Sequence, residues 1–190
     1  MWPWEHLAVG YVAVSILFRW HGRRVGALDA VAVGVGAAFP DLVDKPLAWA
    51  FDVLPSGTSV AHSVFVAVPL AVAVWFVAAR RDRRSVGAAF AVSYLLHLPS
   101  DALYGPLTDG GFSIRAFLWP FVVGSGEGSG GFAGTVAHYF LAYLQFLGTP
   151  EAVEYLVFEL FLLGTATVLW VADGAPPLDA VQRFVRRRTE

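Results

Sequence analysis

Residues 60–79 have the sequence VAHSVFVAVPLAVAVWFVAA, and this stretch decides the fold class. It contains one ionisable side chain, His62, and it is as long as the roughly 20 apolar residues that an α-helix needs to cross a bilayer. A second apolar stretch of similar length runs from Val153 to Ala172. Because lipid offers no water to the backbone, such segments must satisfy their own hydrogen bonds as helices. The sequence therefore predicts an all-α membrane protein.

The composition of the whole chain agrees with this prediction. Hydrophobic residues make up 57% of the 190 positions and charged residues 15%, which is too much apolar surface for a soluble domain of this length. Shorter apolar segments accompany the two long ones, at His6–Phe18, Val25–Phe39, Ser85–Leu98 and Phe132–Leu147. We expect residues 1–174 to form one polytopic helical bundle of about five or six hydrophobic segments in the cell membrane.

The connections between the segments carry different signals. Arginine-rich turns at 19–24 and 80–84 are typical of the cytoplasmic side of a membrane. Residues 99–131 are too many for a bare connection and are rich in glycine and proline, so we expect a loop or lid there. Residues 175–190 are expected to form a short amphipathic basic tail whose arginines face anionic headgroups; these are Arg183, Arg186, Arg187 and Arg188.

The polar residues limit the available chemistry. The chain has no cysteine, which excludes disulfides, thiolate metal sites and a cysteine nucleophile, and leaves His, Asp and Glu for metal binding or acid/base work. A net charge of −2 gives no overall attraction for nucleic acid. The apolar segments make the lipid bilayer the expected partner. Asp29, Glu154 and Glu159 lie in apolar segments and are expected to pair within the bundle.

Ionisable residues converge on one end of the predicted bundle. With the basic turns in the cytoplasm, the first four segments form two hairpins that open towards the extracytoplasmic face. That face would then carry three histidines and three aspartates, namely His6, Asp41, Asp44, His62, His97 and Asp101. A mixture of imidazole and carboxylate ligands suits zinc best, with manganese or magnesium as alternatives. Six ligands are enough for one or two ions.

Each of these residues also has a structural interpretation. His6 could be an interfacial residue, and Asp41 and Asp44 could cap a turn or pair with Lys45. His62 favours a functional role more strongly, because a polar side chain inside a long apolar segment is costly. The shared location of the six residues supports a common site more than any one of them does.

The last third of the chain leaves two topologies open. His138 joins the same face only if the fifth segment enters the membrane from outside. That orientation puts the arginine-rich tail outside, against the usual charge rule, unless residues 112–123 cross the membrane and invert the rest of the chain.

The candidate residues lie in motifs that resemble a known family. The motifs are Glu5-His6-Leu7-Ala8-Val9-Gly10-Tyr11, Phe39-Pro40-Asp41-Leu42-Val43-Asp44, Ala61-His62-Ser63 and His97-Leu98-Pro99-Ser100-Asp101, followed by Tyr104-Gly105-Pro106 and Trp119-Pro120-Phe121. Over roughly residues 1–123 they resemble the LexA-binding, inner-membrane-associated hydrolases, also called membrane-bound metal-dependent hydrolases. The pattern is also similar to that of the zinc-dependent phospholipase C and nuclease superfamily, whose helical members cleave phosphoesters.

Two departures from the family pattern concern particular residues. The family's acidic motif is usually Pro-Asp-X-Asp, whereas one extra residue separates Asp41 from Asp44 here. An arginine commonly precedes the family's His-Ser pair, but this chain has Gly57-Thr58-Ser59 there. If that arginine binds an anion, Arg115 is the candidate to replace it.

The resemblance implies a membrane-embedded metal-dependent hydrolase that acts at the extracytoplasmic face on a phosphoester or lipid-linked substrate. His6, Asp41, His62, His97 and Asp101 would hold the metal. Asp44 would be a further ligand or the general base. Two alternatives remain open: a non-catalytic membrane protein with a structural or transport-related metal site, and a membrane anchor for a soluble partner.

Overall fold

The computed structural model describes residues 1–107, 111–123 and 130–178, and this part of the chain is all-helical, with no strand. Its α-helices are α1 (Pro3–Trp20), α2 (Ala27–Trp49), α3 (Val64–Ala79), α4 (Arg84–Leu107), α5 (Gly131–Phe146) and α6 (Ala152–Ala172). A short 3₁₀ helix, Arg115–Leu118, lies between α4 and α5. The predicted all-α class is confirmed. The arginines of the expected basic tail lie outside the described residues.

Helix α4 lies at the centre of the bundle and packs against α1, α2 and α3. Two glycines allow this close packing. A Cβ added at Gly36 of α2 would lie 2.5 Å from the Phe90 carbonyl oxygen, and one added at Gly10 of α1 would lie 2.8 Å from Ser93 Oγ. Small residues at such crossings let helix backbones approach each other closely. The buried core around α4 includes Val14, Val33, Ala67, Ala89 and Tyr94.

Helices α2 and α4 run well past the ends that the sequence predicts. Their apolar segments end at Phe39 and Leu98, but the helices continue to Trp49 and Leu107. Pro40 and Pro46 lie inside α2, where neighbouring helices shield the backbone. The connection between α4 and α5 therefore starts after residue 107. Residues 99–107 of the expected loop at 99–131 belong to α4 instead.

Helix α6 runs in the same direction as α1. Near its start, Tyr155 donates a hydrogen bond of 2.7 Å to Glu5, beside His6. At its end, Arg19 Nη2 donates a bond of 2.7 Å to the buried Asp173. Helix α6 thus begins at the end of the bundle that carries His6 and finishes beside the first basic turn.

Helix α5 lies across the end of the bundle that carries His6. The Phe132 and Tyr139 rings of α5 contact Trp49, at the end of α2, with centroid distances of 6.0 and 5.8 Å. Near the other end of α5, the Tyr143 ring lies 4.9 Å from the Trp2 ring, which precedes α1. Since both parts of α5 contact this end of the bundle, α5 does not return to the basic turns.

This arrangement differs from both topologies that the sequence leaves open. Residues 111–123 contain only a four-residue 3₁₀ helix, so they do not invert the chain. The end of α4, the whole of α5 and the start of α6 lie at one end, and the chain leaves α6 at the end where the basic turns lie. Among the described helices, two are long and apolar enough to cross a membrane, Arg84–Tyr104 and Ala152–Ala172, and α3 is apolar but shorter.

Candidate metal centre

Four side chains bring one ligand atom each to a common point inside the bundle: Asp41, His62, His97 and Asp101. His62 Nε2 lies 3.5 Å from Asp41 Oδ1 and 3.4 Å from Asp101 Oδ2. His97 Nε2 lies 3.7 Å and 3.3 Å from the same two oxygens. The two Nε2 atoms are 3.2 Å apart. We call these four residues the metal cluster.

Five of the six separations among the four ligand atoms are close to the edges of a tetrahedral metal site. Zinc binds imidazole nitrogen and carboxylate oxygen at about 2.0–2.2 Å, which places neighbouring ligand atoms about 3.3 Å apart in a tetrahedron. The five distances given above range from 3.2 to 3.7 Å, and all four ligand atoms lie within 4.8 Å of one another. These four side chains could therefore hold one ion.

Hydrogen bonds on the outer side of each imidazole fix which nitrogen faces the common point. His62 Nδ1 donates to Asp44 Oδ2 at 2.8 Å, and His97 Nδ1 donates to the Ala37 carbonyl at 2.7 Å. Both partners can only accept, so each Nδ1 carries a hydrogen and the Nε2 of the neutral ring presents a lone pair. Asp41 Oδ1, which faces the same point, is buried without a hydrogen-bond partner. Acceptor atoms that converge in this way need either a bound cation or a proton on one of the two rings.

Asp44 organises the segment that carries His62. Its carboxylate is completely buried and accepts hydrogen bonds from the amides of Ser59, Ala61 and His62, at 2.8, 3.0 and 3.2 Å. Tyr94 of α4 donates to the Ala61 carbonyl at 2.8 Å. These bonds hold the start of α3 against α2 and α4, and they give the His62 ring one orientation.

Three carboxylates surround the buried ring of His62. Asp44 contacts its Nδ1, and Asp41 and Asp101 lie 3.5 and 3.4 Å from its Nε2. In the absence of a metal, a proton on Nε2 would be attracted by the same two oxygens. A proton and a metal therefore compete for this position. Metal binding must release any proton held there, because only the neutral ring is a ligand.

His6 lies beside the metal cluster rather than within it. Its ring stacks on His97 with centroids 3.7 Å apart. Its Nε2 is 3.1 Å from Asp101 Oδ1, the oxygen that faces away from the common point, although the angle does not make a hydrogen bond. The Met1 amino group contacts the same oxygen at 2.6 Å. His6 is thus placed to steady Asp101 or to contribute to a second ion.

Other residues singled out from the sequence lie elsewhere. Arg115 is exposed in the 3₁₀ helix, and His138 is exposed on α5, with its ring 5.7 Å from that of Tyr139. Glu159 accepts a hydrogen bond of 2.7 Å from Trp4 Nε1, which agrees with the expected pairing inside the bundle, whereas Glu154, for which the same was expected, is exposed on α6. None of these residues belongs to the metal cluster.

Lys45 is a neighbour of the metal cluster, although the sequence indicates it only as a structural partner of Asp41 or Asp44. Its Nζ lies 2.6 Å from Asp41 Oδ2, one helical turn along α2. The sequence signal for it is the i, i+4 spacing, but that spacing is informative only if α2 continues past Phe39. Because the sequence predicts that the helix ends at Phe39, it does not predict that Lys45 lies at the site.

A model of one protein family matches most of the chain. The family is described as YdjM inner membrane protein, and the match covers residues 1–175. It extends to the last third of the chain, beyond the motifs in residues 1–123, and it supports a membrane location. Its description includes neither LexA binding nor hydrolysis. No curated protein and no solved structure matches the chain.

Proposed function

The chain belongs to the YdjM inner membrane protein family, and from this premise we propose that it is a membrane-embedded, metal-dependent hydrolase. The observation that carries the proposal is the convergence of four ligand atoms with the Nε2 atoms of both imidazoles turned inward. The ligands of one ion would be Asp41, His62, His97 and Asp101. Two nitrogens and two oxygens suit zinc, with manganese or magnesium as alternatives.

The side chains have separate roles in this proposal. A bound divalent ion supplies a Lewis acid that polarises a phosphoryl oxygen and lowers the pKa of water. Asp44 is a positioning residue rather than a ligand or general base, because its oxygens already accept bonds from the His62 ring and from backbone amides. His6 stacks on His97 and lies beside Asp101, so it would limit the positions that these two ligands can take.

Access to the centre favours hydrolysis over a purely structural ion. The side chains of His62 and His97 are completely buried, whereas those of Asp41 and Asp101 are 12% and 22% exposed. A substrate would therefore approach from the carboxylate side. The Trp119 carbonyl accepts a bond of 2.6 Å from Ser63, next to His62, so the segment after the 3₁₀ helix is a candidate border of the entrance.

A structural or transport-related metal site is the second candidate. One observation favours it: four protein atoms would already complete a tetrahedron, and a four-coordinate ion would have no open position. Hydrolysis instead needs an ion that accepts five or six ligands, or the release of one carboxylate during turnover.

For the topology, we propose five membrane crossings, α1 to α4 and α6, with α5 on the extracytoplasmic surface. Support comes from the contact of Asp173 with Arg19, which puts the end of α6 beside the first basic turn. The basic tail then follows on the cytoplasmic side, and the conflict with the charge rule disappears. Exposed apolar side chains along α6 would face lipid, among them Val157, Leu160, Phe161 and Val168.

The metal cluster would lie within the outer half of the bilayer. His97 follows Arg84 by 13 residues along α4, or about 20 Å at 1.5 Å per residue. The hydrocarbon core is about 30 Å thick, so the cluster would be roughly 10 Å below the outer surface if Arg84 marks the inner one. This is deeper than the segment ends that the sequence predicts, and it suits a substrate whose reactive group comes from a lipid.

Single cysteines test this topology without interference, because the chain has none of its own. We expect a membrane-impermeant maleimide to label His138→Cys on α5 in intact cells and to leave His21→Cys unlabelled until the membrane is opened. Both positions are exposed in the folded chain. Labelling of His21→Cys from outside would contradict the orientation.

The activity is tested with purified protein in nanodiscs, loaded with zinc or manganese. Candidate substrates are an aryl phosphomonoester, an aryl phosphodiester and phosphatidic acid. We expect metal-dependent hydrolysis of at least one of them, and a rate at least about a hundredfold lower for His97→Gln, which lacks a ligand. Metal-loaded protein that hydrolyses none of these esters would favour the structural or transport candidate.

A further inference from the structure

The chain contains a single lysine, Lys45, among twelve arginines. Its ammonium contacts Asp41 Oδ2 at 2.6 Å, while Oδ1 of the same carboxylate belongs to the metal cluster. The Lys45 side chain is 27% exposed, more than either carboxylate of the cluster. A cation therefore lies on the side from which a substrate would approach.

Trp49 supports the ammonium at this position. Lys45 Nζ lies 5.7 Å from the centre of the Trp49 ring, one turn further along α2. The Trp49 ring in turn stacks on Tyr139 of α5, at 5.8 Å. The lysine side chain is thus bounded by Asp41 on one side and an anchored aromatic ring on the other.

The charge balance changes when a divalent ion binds. Asp41 and Asp101 together neutralise the two charges of the ion. Asp44 lies on the far side of His62, where ring and backbone N–H groups satisfy it. Two more cations border the centre, the buried Met1 amino group beside Asp101 and the more exposed Lys45. With the negative charge of Asp44 counted, one net positive charge remains, and Lys45 presents it at the exposed edge, where it would attract an anion.

We propose that Lys45 is a specificity-determining residue that binds the anionic phosphoryl group of the substrate. This inference rests on the proposed function and narrows it to substrates with a phosphate near the reacting bond. Lysine binds phosphate as a point charge and needs no particular ligand plane. Lys45 would bind the anion, a function for which the sequence suggests Arg115. The side chain of Arg115 is exposed on the 3₁₀ helix.

The test measures zinc content and the affinity for inorganic phosphate in the same samples of purified, zinc-loaded protein. The variants are Lys45→Met, Lys45→Arg and, as a control for loss of one charge, Arg80→Met in the second basic turn. All should keep one zinc ion. Titration calorimetry should show phosphate affinity at least about tenfold lower in Lys45→Met, because a charged hydrogen bond is lost, and nearly unchanged in the other two.

The possible results separate the two proposals. Lys45→Met with bound zinc and wild-type phosphate affinity would overturn the role of Lys45 and leave the hydrolase proposal intact. Loss of zinc from Lys45→Met would also overturn it, because Lys45 would then only support Asp41. Wild-type protein that binds no zinc would overturn the proposed function itself.

A second measurement identifies the source of the phosphate. Zinc-loaded protein in nanodiscs is compared with phosphatidic acid or with phosphatidylcholine as the added lipid. Binding of phosphatidic acid that Lys45→Met weakens indicates a lipid headgroup. Binding of inorganic phosphate alone, equally dependent on Lys45, indicates a soluble phosphate ester, and both results support the role of Lys45.

Discussion

Zinc affinity is expected to fall by at least about a hundredfold when His62 or His97 is replaced by glutamine, because each change removes one of four ligands. The two rings approach the centre from different elements, His62 from the segment before α3 and His97 from α4. An equal loss in both variants would therefore indicate one shared site. The affinity is measured by competition with a chromophoric chelator in detergent solution.

The control for this experiment is His138→Gln, which removes an exposed histidine of α5. Its zinc affinity should equal that of the wild type. Wild-type affinity in either His62→Gln or His97→Gln would show that these rings do not bind the ion. Circular dichroism of each variant checks that the helices persist.

Asp44→Ala is expected to have the largest effect on stability. The change leaves the amides of Ser59, Ala61 and His62 and one ring N–H without their buried acceptor. Breaking a buried charged network of this kind costs about 3–5 kcal/mol of unfolding free energy. Thermal unfolding in detergent measures the loss, and Glu154→Ala, at an exposed position of α6, serves as the control.

Asp44→Asn separates the positioning role from that of a ligand. Zinc affinity should fall about 10- to 100-fold, as is typical when a partner of a ligating histidine is changed. The thermal stability should fall even with a chelator present, because the bonds to the His62 segment exist without the ion, and it should fall further with zinc present, because weaker binding lowers the stabilisation by bound zinc. A stability loss that disappears once the metal is removed would indicate that Asp44 is itself a ligand.

The clustering of the candidate residues could be predicted because ionisable side chains are rare in apolar segments. His62, His97 and Asp101 stand out for that reason, and the basic turns set which ends meet. The structure brings them together with Asp41. Their exact partners were not predictable, since the direction of a side chain depends on the backbone around it. The fold of residues 56–62, which turns Asp44 away from the common point, follows no periodic pattern.

The ends of the helices and the course of α5 were harder to predict. Proline usually ends a helix in water, so the sequence favours a boundary at Pro40. In a packed bundle the neighbouring helices shield the backbone, and α2 continues to Trp49. Apolar composition alone could not distinguish a spanning helix from one lying across the end of the bundle. The ring contacts with Trp49 and Trp2 show the position of α5.

The central claim is that one divalent ion is bound by two histidines and two aspartates. X-ray absorption at the zinc edge of the purified, metal-loaded wild type measures this most directly. We expect about four nitrogen or oxygen neighbours at about 2.0–2.1 Å, with the outer-shell scattering of two imidazoles. A spectrum without imidazole scattering, or a protein that retains no zinc after dialysis, would contradict it.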